Sequence, residues 1–295
     1  MPNPGELKSA IVTGASGTIG RAIIGVLLQN GMRVVAASRS ISRLEKIVGQ
    51  YHPDARDRVV LKETDVRIAE ETRQLVEFTL ETLGSVDVLV NAAGIYGAIG
   101  AVRDVAPIEW RHALETNLFG TYHCCYYALR RMVPSGKGRI LNIAGGGATG
   151  PLEHLSSYAV SKAGVVRLTD TLAQEVGREG IHVNAILPGA VDSAMQDQLL
   201  LARDKAGPWY EKIKALRESG SGGISADLTA HLAKVLLFGA GRELNGKLLS
   251  ARYDRFREWT SSEIELIART DIFTLRRLDP ATLTPLAENG LVLKL

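Results

Sequence analysis

The sequence predicts a doubly wound α/β fold, a parallel β-sheet with helices on both faces. Three observations point there. Short apolar runs alternate with helical segments through most of the first 190 residues. Several of the runs are apolar on both sides, as strands covered by helices on both faces must be. A glycine-rich turn joins the first strand to the first helix.

Taken in order, SAIVTGA reads as the first strand, and TIGRAIIGVLLQNG as a helix that stops at Gly31. MRVVAASRS is a second strand and ISRLEKIVGQY a second helix. RVVLKETDV is a third strand, followed by the helix AEETRQLVEFTLETLG with Glu and Arg on its outer face. VDVLVNAAG, GRILNIAG and IHVNAILPGAV follow as strands four to six, and GKLLSA, residues 246–251, as the last. The right-handed crossover rule then sets the order of the strands. Residues 1–251 form the expected catalytic domain. From 252 to 295 the strand–helix rhythm stops, and an extension is expected that folds back over the domain or meets a partner subunit. No repeat or low-complexity segment occurs.

Composition narrows the function. The chain has 295 residues, 45% hydrophobic and 23% charged, with a net charge of +3 and no basic block. A polyanion such as nucleic acid is therefore not an expected partner. The N-terminus lacks the pattern of a signal peptide, and no apolar run approaches the ~20 residues of a membrane span. A cytoplasmic protein without a membrane partner is expected. Cys124 and Cys125 are adjacent, with no His or Cys at ligand spacing, so no metal site is expected. They read as small apolar residues packed in a helix.

The turn TGASGTIG, residues 13–20, supplies Gly14, Ser16, Gly17, Thr18, Ile19 and Gly20. Glycines let the backbone approach a pyrophosphate, and the helix start offers free N–H groups and a favourable dipole. At the end of the second strand stand Ser38, Arg39 and Ser40, with no carboxylate to hold a ribose 2′-hydroxyl. Arg39 can pair with a 2′-phosphate in a fork geometry, and Ser40 adds a hydroxyl. The expected cofactor is NADP(H) in preference to NAD(H).

Tyr158 and Lys162, four residues apart, fall on one helix face. With these motifs in order the chain resembles the short-chain dehydrogenase/reductase family over roughly residues 7–250. TGASGTIG corresponds to the family's glycine loop. Asp65 and Val66 match the pair that meets adenine, and Asn91, Ala92, Ala93 and Gly94 match the segment after the fourth strand. Asn117 in TNLFG and the Tyr158/Lys162 pair match the catalytic residues. Pro188, Gly189, Val191 and Ser193 match the motif beyond the sixth strand. The resemblance implies a Rossmann fold and an NADP(H)-dependent oxidoreductase that interconverts a secondary alcohol and a ketone on a small polar molecule. Tyr158 would exchange the proton, and Asn117 would support a relay water. A nearby ammonium favours a phenolate, so Lys162 is expected to lower the Tyr158 pKa. The resemblance also gives Lys162 the nicotinamide ribose, residues 195–223 a substrate lid, and the chain a homodimer or homotetramer. The interface would be built from GTYHCCYYALRRMV and YAVSKAGVVRLTDTLAQEV.

Two departures stand out. Thr18 replaces the loop's central glycine, with Gly17 one place earlier. Gly145 stands where the family carries a serine, thirteen residues before the tyrosine, and its neighbours Ala144, Gly146 and Gly147 bring no hydroxyl. Three replacements are open: backbone amides of the glycine loop, a hydroxyl of the substrate, or Thr149, His154, Ser156 or Ser157. The rival functions are a nucleotide-binding regulator that lost turnover and a cofactor-assisted epimerase or lyase.

Overall fold

The computed structural model describes residues 7–219 and 223–277. Among them seven strands form one parallel sheet in the order β3-β2-β1-β4-β5-β6-β7. The strands are β1 (Ser9–Thr13), β2 (Arg33–Ser38), β3 (Val59–Glu63), β4 (Val88–Asn91), β5 (Gly138–Ile143), β6 (Ile181–Leu187) and β7 (Leu248–Ser250). The helices are α1 (Thr18–Gln29), α2 (Ile41–Val48), α3 (Pro53–Arg56), α4 (Ala69–Leu83), α5 (Pro107–Leu114), α6 (Gly120–Ser135), α7 (Ser156–Val176), α8 (Ala194–Ala202), α9 (Pro208–Glu218), α10 (Ala226–Leu237) and α11 (Ser261–Arg269).

Alternation along the central strands builds the two layers. Ala10 and Val12 of β1 face one side and Ile11 the other; in β4, Val88 and Val90 oppose Leu89. The first face carries Ile23 and Leu27 of α1, Leu44 of α2, and Leu232 and Leu236 of α10. The second carries Leu75 of α4, Met132 of α6 and Ala173 of α7. Strands buried on both faces cannot show a polar side, hence the near-continuous apolar runs. Cys124 and Cys125 are buried in the second layer, and burial pushes both thiols up, that of Cys125 to about 12.

At the sheet's amino end Asp87 ties three segments together. Its carboxylate accepts from the Lys8 and Ser9 amides at 2.8 and 3.2 Å and from Ser85 Oγ at 2.9 Å, and it pairs with Lys137 Nζ at 3.1 Å.

The extension belongs to the same core. Phe256, Ile264 and Ile267 join the first layer. α11 opens on a capping box between Thr260 and Glu263. The chain then returns beside β7. The Leu248 amide donates to Phe273 O at 2.7 Å, the Ser250 amide donates to Asp254 Oδ2 at 2.7 Å, and Arg276 pairs with Asp170 at 2.8 Å. Of the expected lid, residues 220–222, and of the extension, residues 278–295, lie outside the described residues. No helix among the described residues is long and apolar enough to cross a membrane.

Candidate active site

The nucleotide end forms where β1, β2 and β4 finish. Gly14 has φ +62°, and a Cβ there would lie 2.5 Å from Ala92 O and Ala93 N, so the turn rests on the chain leaving β4. A Cβ at Gly20 would lie 2.5 Å from Gly14 O. Gly17 N donates to Gly14 O at 2.9 Å, Gly17 and Thr18 are exposed, and Ile19 is half-buried. No side chain caps α1, and no acidic residue lies in its first turn. Its first amides therefore remain for an anion, with no carboxylate to oppose one, and the loop fits a pyrophosphate despite Thr18.

Beside it, Ser16 Oγ and Ser38 Oγ share a hydrogen bond of 2.9 Å, and the Ser40 amide donates weakly to Ser38 Oγ at 3.4 Å. Arg39 is exposed and close enough to Asp65 to act on its carboxyl. Arg67 dominates that carboxyl: its Nε donates at 3.0 Å and its NH2 at 2.5 Å, holding Asp65 below its ordinary value. Arg67 was not anticipated; the signal was a cation two residues after the aspartate.

Two of the expected nucleotide contacts turn their side chains inward. Val66 packs into the second layer, where a Cβ at Gly120 would lie 2.6 Å from its Cγ2, and its carbonyl is 3.1 Å from His123 Nδ1. Asn91 Nδ2 donates to Asn142 Oδ1 at 2.8 Å in a buried link between β4 and β5. For both, only the backbone is placed to meet a nucleotide. On the far side Pro188 is buried and Gly189, φ +80°, is exposed. Val191 bridges to Ile224, and Ser193 precedes α8.

The three residues expected to be catalytic assemble at the carboxyl ends of β4 and β5. A π-helical turn, Glu115–Phe119, separates α5 from α6 and carries Asn117 into the interior. Asn117 Nδ2 donates to Ile95 O and to Ser161 Oγ at 2.9 Å each, and its Oδ1 accepts from the Ile95 amide at 2.9 Å. α7 holds Tyr158 and Lys162 on one buried face. A Cβ at Gly94 would lie 3.3 Å from Asn117 Oδ1 and 3.5 Å from Lys162 Nζ, so both polar heads sit beneath that glycine.

Lys162 does not act on Tyr158 as expected. Its Nζ donates to Ile143 O at 2.7 Å and stands 5.9 Å from the centre of the Tyr158 ring. Tyr158 is 8% exposed, and burial, with a smaller contribution from Tyr96, pushes its phenol well above the ordinary value. Burial also lowers Lys162 to about 8. Desolvation sets the direction, and the ammonium, 5.9 Å from the ring centre and bonded to Ile143 O, does not offset it.

The serine position has a steric explanation. A Cβ at Gly145 would collide with the Tyr158 hydroxyl. The loop turns tightly here: Ala148 N donates to Gly145 O at 3.2 Å, and Gly147 takes φ +86°. Of the four candidate side chains, three have partners elsewhere. Thr149 is exposed. His154 Nδ1 lies 2.8 Å from Lys205 O, Ser156 Oγ accepts from Trp110 Nε1 at 3.0 Å, and Ser157 Oγ donates to Tyr96 O at 3.4 Å.

Over the site lies the expected lid, α8 and α9 joined by a 3-10 turn, Arg203–Ala206. Its underside is apolar: Leu199, Ala206 and Ile213 pack with Leu155 and Tyr158. Arg217 of α9 pairs with Asp192 and Asp197 at 2.8 Å, and Trp209 Nε1 donates to Glu153 O at 3.2 Å. Trp209 and Tyr210 thus pack the lid down.

Comparison with known proteins agrees with this geometry. The profile of the short chain dehydrogenase family matches residues 8–204. An "uncharacterized oxidoreductase" of Staphylococcus aureus is 32% identical over 188 residues, 64% of this chain and 80% of the relative. A "putative ketoacyl reductase" of Streptomyces coelicolor is 38% identical over 192 residues, 64% of this chain and 73% of the relative. A crystal structure of a single-residue variant of the actinorhodin polyketide ketoreductase with NADPH superposes with a TM-score of 0.74 at 29% identity, over 85% of this chain and 97% of that one. A parallel seven-stranded sheet, an uncapped glycine turn and a Tyr/Lys/Asn trio at its carboxyl edge make this chain an oxidoreductase of the short-chain dehydrogenase family.

Proposed function

We propose that the protein is an NADP(H)-dependent reductase or dehydrogenase interconverting a ketone and a secondary alcohol. The observation that carries the reading is the convergence of Asn117 Oδ1 and Lys162 Nζ beneath Gly94, one helical turn from Tyr158. A nicotinamide cofactor, when bound, supplies or accepts the hydride. The uncapped first turn of α1 would hold its pyrophosphate, and Arg39 with Ser38 and Ser40 would hold the 2′-phosphate. The ketoreductase relative crystallised with NADPH supports that preference.

In the reducing direction Tyr158 gives its proton to the carbonyl oxygen. Lys162 and Asn117 keep a protonated, ordered path behind it, and Lys162 would also hold the cofactor ribose. The lid excludes water. Its apolar underside supports a ketone with an apolar body, in place of the small polar molecule expected from the sequence. The exposed aromatics Phe119, just ahead of α6, and Tyr122 and Tyr126 on it, with Val160 of α7, support pairing of two copies through these helices. Light scattering showing only monomer would count against that pairing.

A non-catalytic nucleotide binder remains the rival, favoured by the high phenol pKa of Tyr158. Titration with NADPH and NADH, followed by turnover of a ketone panel, separates the two. The reductase binds NADPH more tightly, consumes it with ketone, and loses turnover in Tyr158→Phe. Binding without turnover of any ketone supports the rival.

A further inference from the structure

The site lacks a hydroxyl at Gly145, and no side chain can be placed there without displacing Tyr158. A carbonyl oxygen that receives one proton needs a second donor to hold it and to stabilise the charge that develops. The hydroxyls of Ser157 and Ser161 donate to Tyr96 O and Tyr158 O, and that of Ser156 accepts from Trp110 Nε1.

One ring beside Tyr158 carries a hydroxyl with no such partner. Tyr96 lies edge-on to Tyr158, ring centres 4.9 Å apart at 66°. It lines the same apolar cluster under the lid. Among the described residues no group hydrogen-bonds to its phenol, while its backbone is held from several directions. The adjoining Ile95 is bonded through both its amide and its carbonyl to Asn117, and Tyr96 O accepts from Ser157 Oγ. Gly97, φ +71°, closes the segment onto α5, where a Cβ would lie 2.7 Å from Ala113 Cβ. Two polar residues of the catalytic elements thus fix the position of Tyr96 relative to Tyr158. A phenol on a backbone fixed in this way, its ring packed edge-on against Tyr158, is placed to act as a preorganised donor. Burial in the same apolar surroundings pushes the Tyr96 phenol up to about 12, so it stays protonated and able to donate at neutral pH.

We propose that Tyr96 supplies the second hydrogen bond to the reacting oxygen, replacing the serine hydroxyl that Gly145 cannot provide. The substrate oxygen then sits between two phenols. Tyr158 transfers its proton to that oxygen as the hydride reaches the carbonyl carbon, and Tyr96 donates a hydrogen bond without giving up its proton. This rests on the reading of Tyr158 as the proton donor of a ketone reductase.

The test uses the full chain and two readouts. The first is binding of 4-nitrophenolate, a stable aryl oxyanion, followed by absorbance with and without NADP+. The second is steady-state reduction of a ketone panel with NADPH. Tyr96→Phe and Tyr158→Phe should each weaken phenolate binding about tenfold. Tyr96→Phe should also lower kcat at least tenfold, with the NADPH affinity within twofold of wild type. Tyr253→Phe, at an exposed phenol on the extension, should change nothing. The proposal is overturned if Tyr96→Phe binds phenolate as wild type does and keeps its kcat within twofold. It is also overturned if the wild type does not bind the phenolate. If the phenolate results hold but no ketone is reduced, the two-phenol site stands and the reductase reading falls. If ketones are reduced, Tyr158→Phe is dead and Tyr96→Phe is normal, the reverse follows.

Discussion

Tyr158 lies against Gly145 so closely that a single added carbon at Gly145 would overlap its hydroxyl. The glycine is a fitted partner of the tyrosine and not a scar left by a lost serine. Gly145→Ser is therefore expected to lower kcat/KM, by about a hundredfold if Tyr158 shifts far enough to lose proton transfer, on the scale of one lost transition-state contact. Gly145→Ala should do the same. The NADPH affinity of both variants should stay within a few-fold. A gain of activity in Gly145→Ser would sink this account.

Lys162 is buried with one hydrogen bond, and burial sets its pKa at about 8 against 10.5 for a free lysine. The unfolded chain therefore binds more protons between those values, and the protein gains stability as pH rises through that window. Below it, the folded state carries the cost of a buried cation. Lys162→Met removes that cost and should stabilise the protein at pH 7 by about 2 kcal/mol after the lost bond to Ile143 O is counted, while abolishing turnover. Thermal melts of both proteins across pH 7–10.5 check the sign. A lower Tm for the variant at pH 7 would contradict it. In the same frame kcat/KM of the wild type should fall as pH passes about 8 and the free enzyme loses the ammonium behind Tyr158.

Arg39 stands exposed at the carboxyl end of β2, near the Ser16–Ser38 pair. Arg39→Ala should weaken NADPH binding at least tenfold, about 1.4 kcal/mol or more, and leave NADH within twofold. Calorimetry with both nucleotides decides it. Equal losses for the two would remove the 2′-phosphate from the argument.

Asp87 is a stability residue at the opposite end of the strands from the active site. Burial works to raise its carboxyl, but bonds from the Lys8 amide, Lys137 and Ser85 overcome this and hold it below the ordinary carboxylate value. Its stabilisation is present above that ordinary value and fades as pH falls through the lowered one. Asp87→Ala should cost about 3 kcal/mol at pH 7, since it leaves the Lys8 and Ser9 amides without their acceptor and removes the ion pair with Lys137. Denaturant unfolding should show the gap between variant and wild type closing on acidification. A gap that does not change with pH would refute the assignment.

Local features of the chain were readable in advance. The β1 turn, the end of β2 and the Tyr158/Lys162 pair depend on neighbours within a few residues, and each lies where spacing and residue type predict. Tyr96 could not be read, because it reaches Tyr158 only after β4 and α7 pack, across 62 positions of sequence. The reversal of the Lys162 effect escaped for a similar reason: whether an ammonium lowers a phenol's pKa depends on burial and on where its nitrogen points. The helix in the extension was readable and missed. Thr260-Ser-Ser-Glu263 is a capping-box signature ahead of Ile264 and Ile267, which occur once each turn.

Both outward amides of β7 are occupied, that of Leu248 by Phe273 O and that of Ser250 by Asp254. An edge strand with bare amides is a template on which another chain can add a strand. Here the protein's own extension closes that template. Two copies cannot merge their sheets into one continuous sheet across β7 unless the extension first peels away. The segment thus acts as a selvedge, finishing the sheet so that it does not run on from one molecule into the next.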